Sequence, residues 1–181
     1  MSLADRRPGE GASPAFHGPR PFAPVALVLS LALCFAAAGI GGAVTTPEIG
    51  GWYASLRKPP FNPPDWVFGP VWTVLYGLMA VVLWQIYRTP AADGGGRRLR
   101  SRALFAFVVQ LVLNVAWSIV FFGLHSPAGG IAVIAALLAA IVWLMRAARP
   151  VIGGMTWLLA PYLAWVAFAA VLNVSILALN G

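Results

Sequence analysis

Residues Pro24 to Val44 read PVALVLSLALCFAAAGIGGAV. This stretch holds no Asp, Glu, Lys or Arg, and it is about as long as a helix crossing a hydrocarbon core of ~30 Å must be. Outward from it, four further apolar runs follow, at about 66–87, 103–122, 129–147 and 155–179, and no charged side chain lies in the interior of any of them. Each approaches or exceeds the roughly 20 residues of a spanning helix. The pattern predicts an all-α integral membrane protein, a bundle of five transmembrane helices over residues 23–181. Residues 1–22, MSLADRRPGEGASPAFHGPRPF, are rich in Pro, Gly and charge without an apolar period. They predict a disordered N-terminal tail at the membrane surface.

Composition agrees with the runs. The 181 residues are 60% hydrophobic and 9% charged, against roughly 25% charged in an ordinary soluble domain. That excludes a soluble globular enzyme, and a disordered chain would be polar instead. The single cysteine, Cys34, allows no internal disulfide. Arginines before the first run could mark a signal peptide cleaved near Ala36 to Ala38. The length of the run and the four spans after it favour a retained helix.

The net charge of +7 does not point to nucleic acid, because the cations sit between apolar runs, with no basic face on a soluble scaffold. Ten arginines (Arg6, Arg7, Arg20, Arg88, Arg97, Arg98, Arg100, Arg102, Arg146 and Arg149) fall on one side of a five-span topology, and only Arg57 and Lys58 on the other. By the positive-inside rule the N-terminus is cytoplasmic and the C-terminus outside, in a bacterial inner membrane.

Several chemistries lack their residues. No carboxylate inside a span offers a proton relay, and His17 and His125 stand apart from any metal-ligand cluster. There is no phosphate loop and no nucleophile elbow. Gly94, Gly95 and Gly96 sit in a basic segment that reads as a flexible linker.

Tryptophan and intramembrane amides are in excess. Of eight Trp, Trp84, Trp143 and Trp157 suit an interfacial belt, whereas Trp72, Trp117 and Trp165 lie deeper. Phe68, Trp72, Tyr76 and Met79 make one helical stripe, Gln110, Asn114, Trp117 or Ser118, and Phe121 a second, and Pro161, Trp165, Phe168 or Ala169, and Asn173 a third. Two readings fit the stripes. One is helix packing with amides as interhelical glue; the other is an aromatic pocket whose amides orient a ligand.

The first loop, GGWYASLRKPPFNPPDWVF (50–68), carries four prolines, Pro59, Pro60, Pro63 and Pro64, that stiffen it. Asn62 is placed to cap the second span, with Pro63 at its first position. Trp52, Tyr53, Phe61 and Trp66 give the loop an apolar underside, so it reads as a Pro/Trp-rich lid over the bundle. Arg57 and Lys58 on that lid would meet a protruding carboxylate.

The stretch WYASLRKPPFNPPDWVFGPVWTVLYGLMA (52–80) resembles the signature of the TspO/translocator protein family, the tryptophan-rich sensory proteins. QLVLNVAWSIVFFG (110–123) resembles its third-helix motif and PYLAWVAFAAVLN (161–173) its fifth-helix motif. The resemblance covers roughly residues 25–180. It implies a homodimeric five-helix receptor, sensor or transporter that binds porphyrins, and in some members benzodiazepine-type ligands, with no resident cofactor. The ligand pocket it implies falls on Trp72, Asn114, Trp165 and Ala169. The ligand-binding set expected here is therefore Trp52, Arg57, Lys58, Phe68, Trp72, Tyr76, Asn114, Trp117, Trp165, Ala169 and Asn173. The resemblance further implies light-dependent porphyrin degradation in some members, for which Trp72 and Trp165 would serve; the third reading is a membrane scaffold or regulator that acts through protein partners, its pocket incidental. The family's cholesterol pattern needs a basic residue soon after a Tyr, and none follows Tyr162, so specific cholesterol binding is not expected.

Overall fold

A computed structural model describes residues 22–91 and 93–181. The expected tail lies outside the described residues but for Phe22. Five long helices form the bundle: α1 (Pro24–Ile49), α3 (Phe68–Arg88), α4 (Gly94–Ser118), α5 (Pro127–Ile152) and α6 (Ala160–Asn180). A single turn, α2 (Trp52–Ser55), interrupts the first loop. All five long helices carry apolar stretches long enough to cross a bilayer. Along the chain, α5 passes into α6 through a 3-10 segment, Gly153–Leu159, so that 127–180 is continuously helical for 54 residues. That is far more than one crossing needs, and the chain reverses at Gly153, whose φ of +60° glycine adopts without steric cost.

Bundle neighbours are α4 with α5, α1 with α3, α5 with α6, and α1 with α4. Small residues let them approach: Ala103 and Ala106 of α4 and Ala148 of α5 are wholly buried or nearly so. Outward faces stay apolar, with Val25, Val74, Phe105 and Val171 exposed, as lipid contact demands.

Three local expectations are corrected. Gly94 to Gly96 are not a linker; they form the first turn of α4, because Asp93 Oδ1 accepts the Gly96 N–H at 2.7 Å and caps it. The arginines from Arg97 to Arg102 are therefore helical rather than in a loop. Asn62 caps nothing: its Oδ1 accepts the Tyr53 hydroxyl at 2.9 Å, and α3 begins later, after a 3-10 turn over Asp65–Val67. The third span also ends differently from a plain helix. Ile119–Gly123 is a π turn, in which Leu124 N–H donates to the Ile119 carbonyl at 2.9 Å. The extra residue in the turn points both Phe121 and Phe122 inward.

Candidate functional site

Beneath the first loop, the ends of α1, α3, α4 and α6 enclose a cavity of about 280 Å³, near the lower end of the roughly 300–1,000 Å³ usual for ligand sites. Phe68, Trp72 and Tyr76 enter from α3, Asn114 and Trp117 from α4, and Trp165 and Ala169 from α6. The helical spacing of each stripe accounts for this, since residues three or four apart share one face. Exposed residues such as Phe35, Gly69 and Thr73 also belong to the wall, so the cavity communicates with the outside between α1 and α3.

The aromatic wall is locked by its own contacts. Trp72 packs against Tyr76 at 5.6 Å and edge-on to Tyr162 at 6.3 Å. Trp165 meets Phe68 edge-on at 5.9 Å, and Trp117 stacks on Phe121 at 5.4 Å. Such pairs contribute about 0.5–1.5 kcal/mol each beyond burial.

Behind the rings runs a buried polar chain. Tyr76 donates its hydroxyl to Asn114 Oδ1 at 2.5 Å, Asn114 Nδ2 donates to the Tyr162 hydroxyl at 3.0 Å, and Tyr162 donates to Gln110 Oε1 at 2.9 Å. Gln110 Nε2, at the end of the chain, is buried without a partner among the described residues. Asn114, bonded through both its oxygen and its nitrogen, lines the cavity in one fixed orientation.

The other expected residues stand outside the lining. Trp52 stacks on the His125 ring at 4.6 Å and meets Phe121 edge-on. Lys58 places its ammonium 4.4 Å over the Tyr53 ring. Arg57 is held by its backbone: its N–H donates to Asn180 Oδ1, and its carbonyl accepts from Asn180 Nδ2, both at 2.9 Å. Asn173 is buried and braces the wall from behind, accepting Trp117 Nε1–H at 3.3 Å and donating to the Pro127 carbonyl at 2.8 Å.

Residues not anticipated complete the lining. Ala38, Gly41 and Thr45 of α1 form a small-residue stripe along one side; their spacing of three and four was the available signal. Tyr53 and Asp65 reach in from the loop. Burial, and secondarily the Asp65 carboxylate, push the Tyr53 phenol above its ordinary value of 10.0. Among the described lining residues Asp65 is the one carboxylate, and no Lys or Arg joins it. No group of three His, Cys, Asp or Glu able to hold a metal occurs among the described residues.

Residues 30–179 match the TspO/MBR family. The tryptophan-rich protein TspO of Chlorobaculum tepidum is 41% identical over 157 residues, which cover 84% of this chain and 97% of that protein. The tryptophan-rich sensory protein of Cereibacter sphaeroides is 36% identical, over 83% of this chain and 88% of its own. The human translocator protein is 35% identical, over 67% of this chain and 70% of its own.

Proposed function

The chain belongs to the TspO/MBR family and is an integral membrane protein, and from that premise we propose that it is a receptor, sensor or carrier for flat tetrapyrroles such as protoporphyrin, able also to accept benzodiazepine-type ligands. The observation that carries this reading is the convergence of Trp72 and Trp165, from different helices, with the Asn114 amide on one cavity. Indole faces suit an extended π-system, and a single fixed amide suits orienting it. The macrocycle's carboxylates would point to the open side. Lys58, whose ammonium lies over the ring of the lining residue Tyr53, is a lid cation beside the cavity.

The same proposal includes a homodimer, with the N-terminus on the cytoplasmic side as the arginine asymmetry argues. Protoporphyrin titrated in the dark into detergent-purified protein should quench tryptophan fluorescence to a saturating end point. Replacing both Trp72 and Trp165 by Phe should weaken it about ten-fold, the loss of roughly 1.4 kcal/mol of stacking. Unchanged affinity in the double variant overturns the assignment. A porphyrin-derived product that forms only under light, and only with both indoles present, would instead make this chain an enzyme.

A further inference from the structure

At the end of the bundle away from the lid, α4 and α5 leave a second groove, of about 410 Å³. Ala139, Ala147 and Pro150 make its apolar floor, and Arg102, Trp143 and Arg146 its edge. Register places the two arginines at one depth. Arg102 is the last basic residue before the apolar run of α4, and Arg146 is the first basic residue after that of α5. The helices pack side by side in opposite directions, so both guanidiniums stand where hydrocarbon gives way to headgroups.

Among the described residues these charges have no counter-ion. The ion pair found among the described residues, His125 with Glu48, is at the opposite end, and Asp93, the acidic residue described at this end, is engaged in capping α4. Two exposed guanidiniums beside hydrocarbon call for an anion, and the planar fork of arginine matches phosphate oxygens two at a time. Trp143 lies one turn before Arg146 toward the membrane interior and packs edge-on to Phe105 at 5.9 Å. Ala139, a further turn in, keeps the floor open where a chain would run.

We propose that this groove is a binding site for an anionic phospholipid, its phosphodiester held between Arg102 and Arg146 and one acyl chain laid past Trp143 over Ala139. Basic pockets between spanning helices serve anionic headgroups in this way.

Native mass spectrometry of the intact protein, titrated with phosphatidylglycerol or phosphatidylcholine of the same chains, tests it. Phosphatidylglycerol should bind about ten-fold more tightly, and Arg102→Gln with Arg146→Gln should remove most of that preference. Arg97→Gln with Arg98→Gln deletes the same charge from exposed positions outside the groove and should leave the preference intact. Equal losses in the two pairs, or no preference between the lipids, would overturn the site. So would displacement of the lipid by glycerol 3-phosphate at lipid-like concentrations, which would make it a site for soluble phosphate. Should the double variant fail to fold, brominated chains give a second reading in the unaltered protein. Stronger quenching by brominated phosphatidylglycerol than by brominated phosphatidylcholine, abolished in Trp143→Phe, supports the site, and equal quenching refutes it.

Discussion

Asn114 on α4 joins the hydroxyls of Tyr76 on α3 and Tyr162 on α6, accepting from the first and donating to the second. One amide thus ties three helices together directly behind the cavity. In a bilayer, where helices gain little by burying apolar surface against each other, such bonds help to choose the packing.

Asn114→Ala should therefore cost more than an average intramembrane substitution. It strands the buried Tyr76 hydroxyl, at about 1–3 kcal/mol when left unpaired, takes the donor from Tyr162, which keeps its bond to Gln110, and leaves a void where the amide stood. Tyr162→Phe, which leaves only Gln110 Oε1 and Asn114 Nδ2 wanting, should cost less than Asn114→Ala. Thermal unfolding in one detergent orders the two variants, and equal midpoints for Asn114→Ala and the parent would contradict the network.

Gly130 touches the machinery from the far side. A Cβ there would come within 2.6 Å of Asn173 Oδ1 and 3.0 Å of Phe121. Gly130→Ala should push Asn173 off both Trp117 and the Pro127 carbonyl, destabilising the fold by about 1–3 kcal/mol as overpacking does. The Trp117 indole should lose its hydrogen bond, visible as a shifted tryptophan emission; an unchanged melting point and spectrum would show that the helices simply yield.

Gly153 is a different kind of glycine. Nothing lies within 4 Å of its would-be Cβ, so the objection to a side chain is conformational, at φ +60°. Gly153→Ala should cost on the order of 1 kcal/mol or more through strain, and Gly154→Ala, with equal space and no such φ, should be nearly neutral. Reversal of that order by calorimetry would place the bend elsewhere.

Asp65 bears on ligand charge. Its carboxylate lines the cavity mouth and repels an anionic ligand there. Asp65→Asn should tighten binding of free protoporphyrin up to about five-fold, from the roughly 0.2–1 kcal/mol typical of an exposed charge pair. The dimethyl ester, which carries no carboxylate, should not respond, and an equal gain for both would mean that Asp65 acts on the loop and not on charge.

Alkaline pH should loosen the loop. Burial first, and Asp65 second, hold the Tyr53 phenol neutral beyond its ordinary value of 10.0. The folded state therefore ionises later than the unfolded chain, and the stability this contributes is present below pH 10 and lost as pH climbs toward the raised value. Ionisation also removes the proton donated to Asn62. Melting temperatures should fall more steeply between pH 9 and about 11 in the parent than in Tyr53→Phe; parallel curves would exclude Tyr53.

The five crossings were legible because a span is a local sum: about twenty apolar residues in a row must be hidden from water wherever their neighbours are. The stripes through Trp72, Asn114 and Trp165 were legible too, since three-and-four spacing defines a helix face regardless of partner. What the faces meet was not, because helix rotation is settled by packing among elements far apart in the chain. So Asn173 lies behind the cavity wall, and the small residues of α1 form one side of it. The loop's attachment is equally non-local, with Arg57 fastened to Asn180, 123 positions away. Likewise Asn62 serves Tyr53 instead of a helix end, and a π turn brings Phe121 and Phe122 inward together. Composition and period determine which segments cross the membrane and which faces are polar or aromatic; only the close packing of five helices, each polar group seeking a partner where no water competes, decides which of those faces share a cavity.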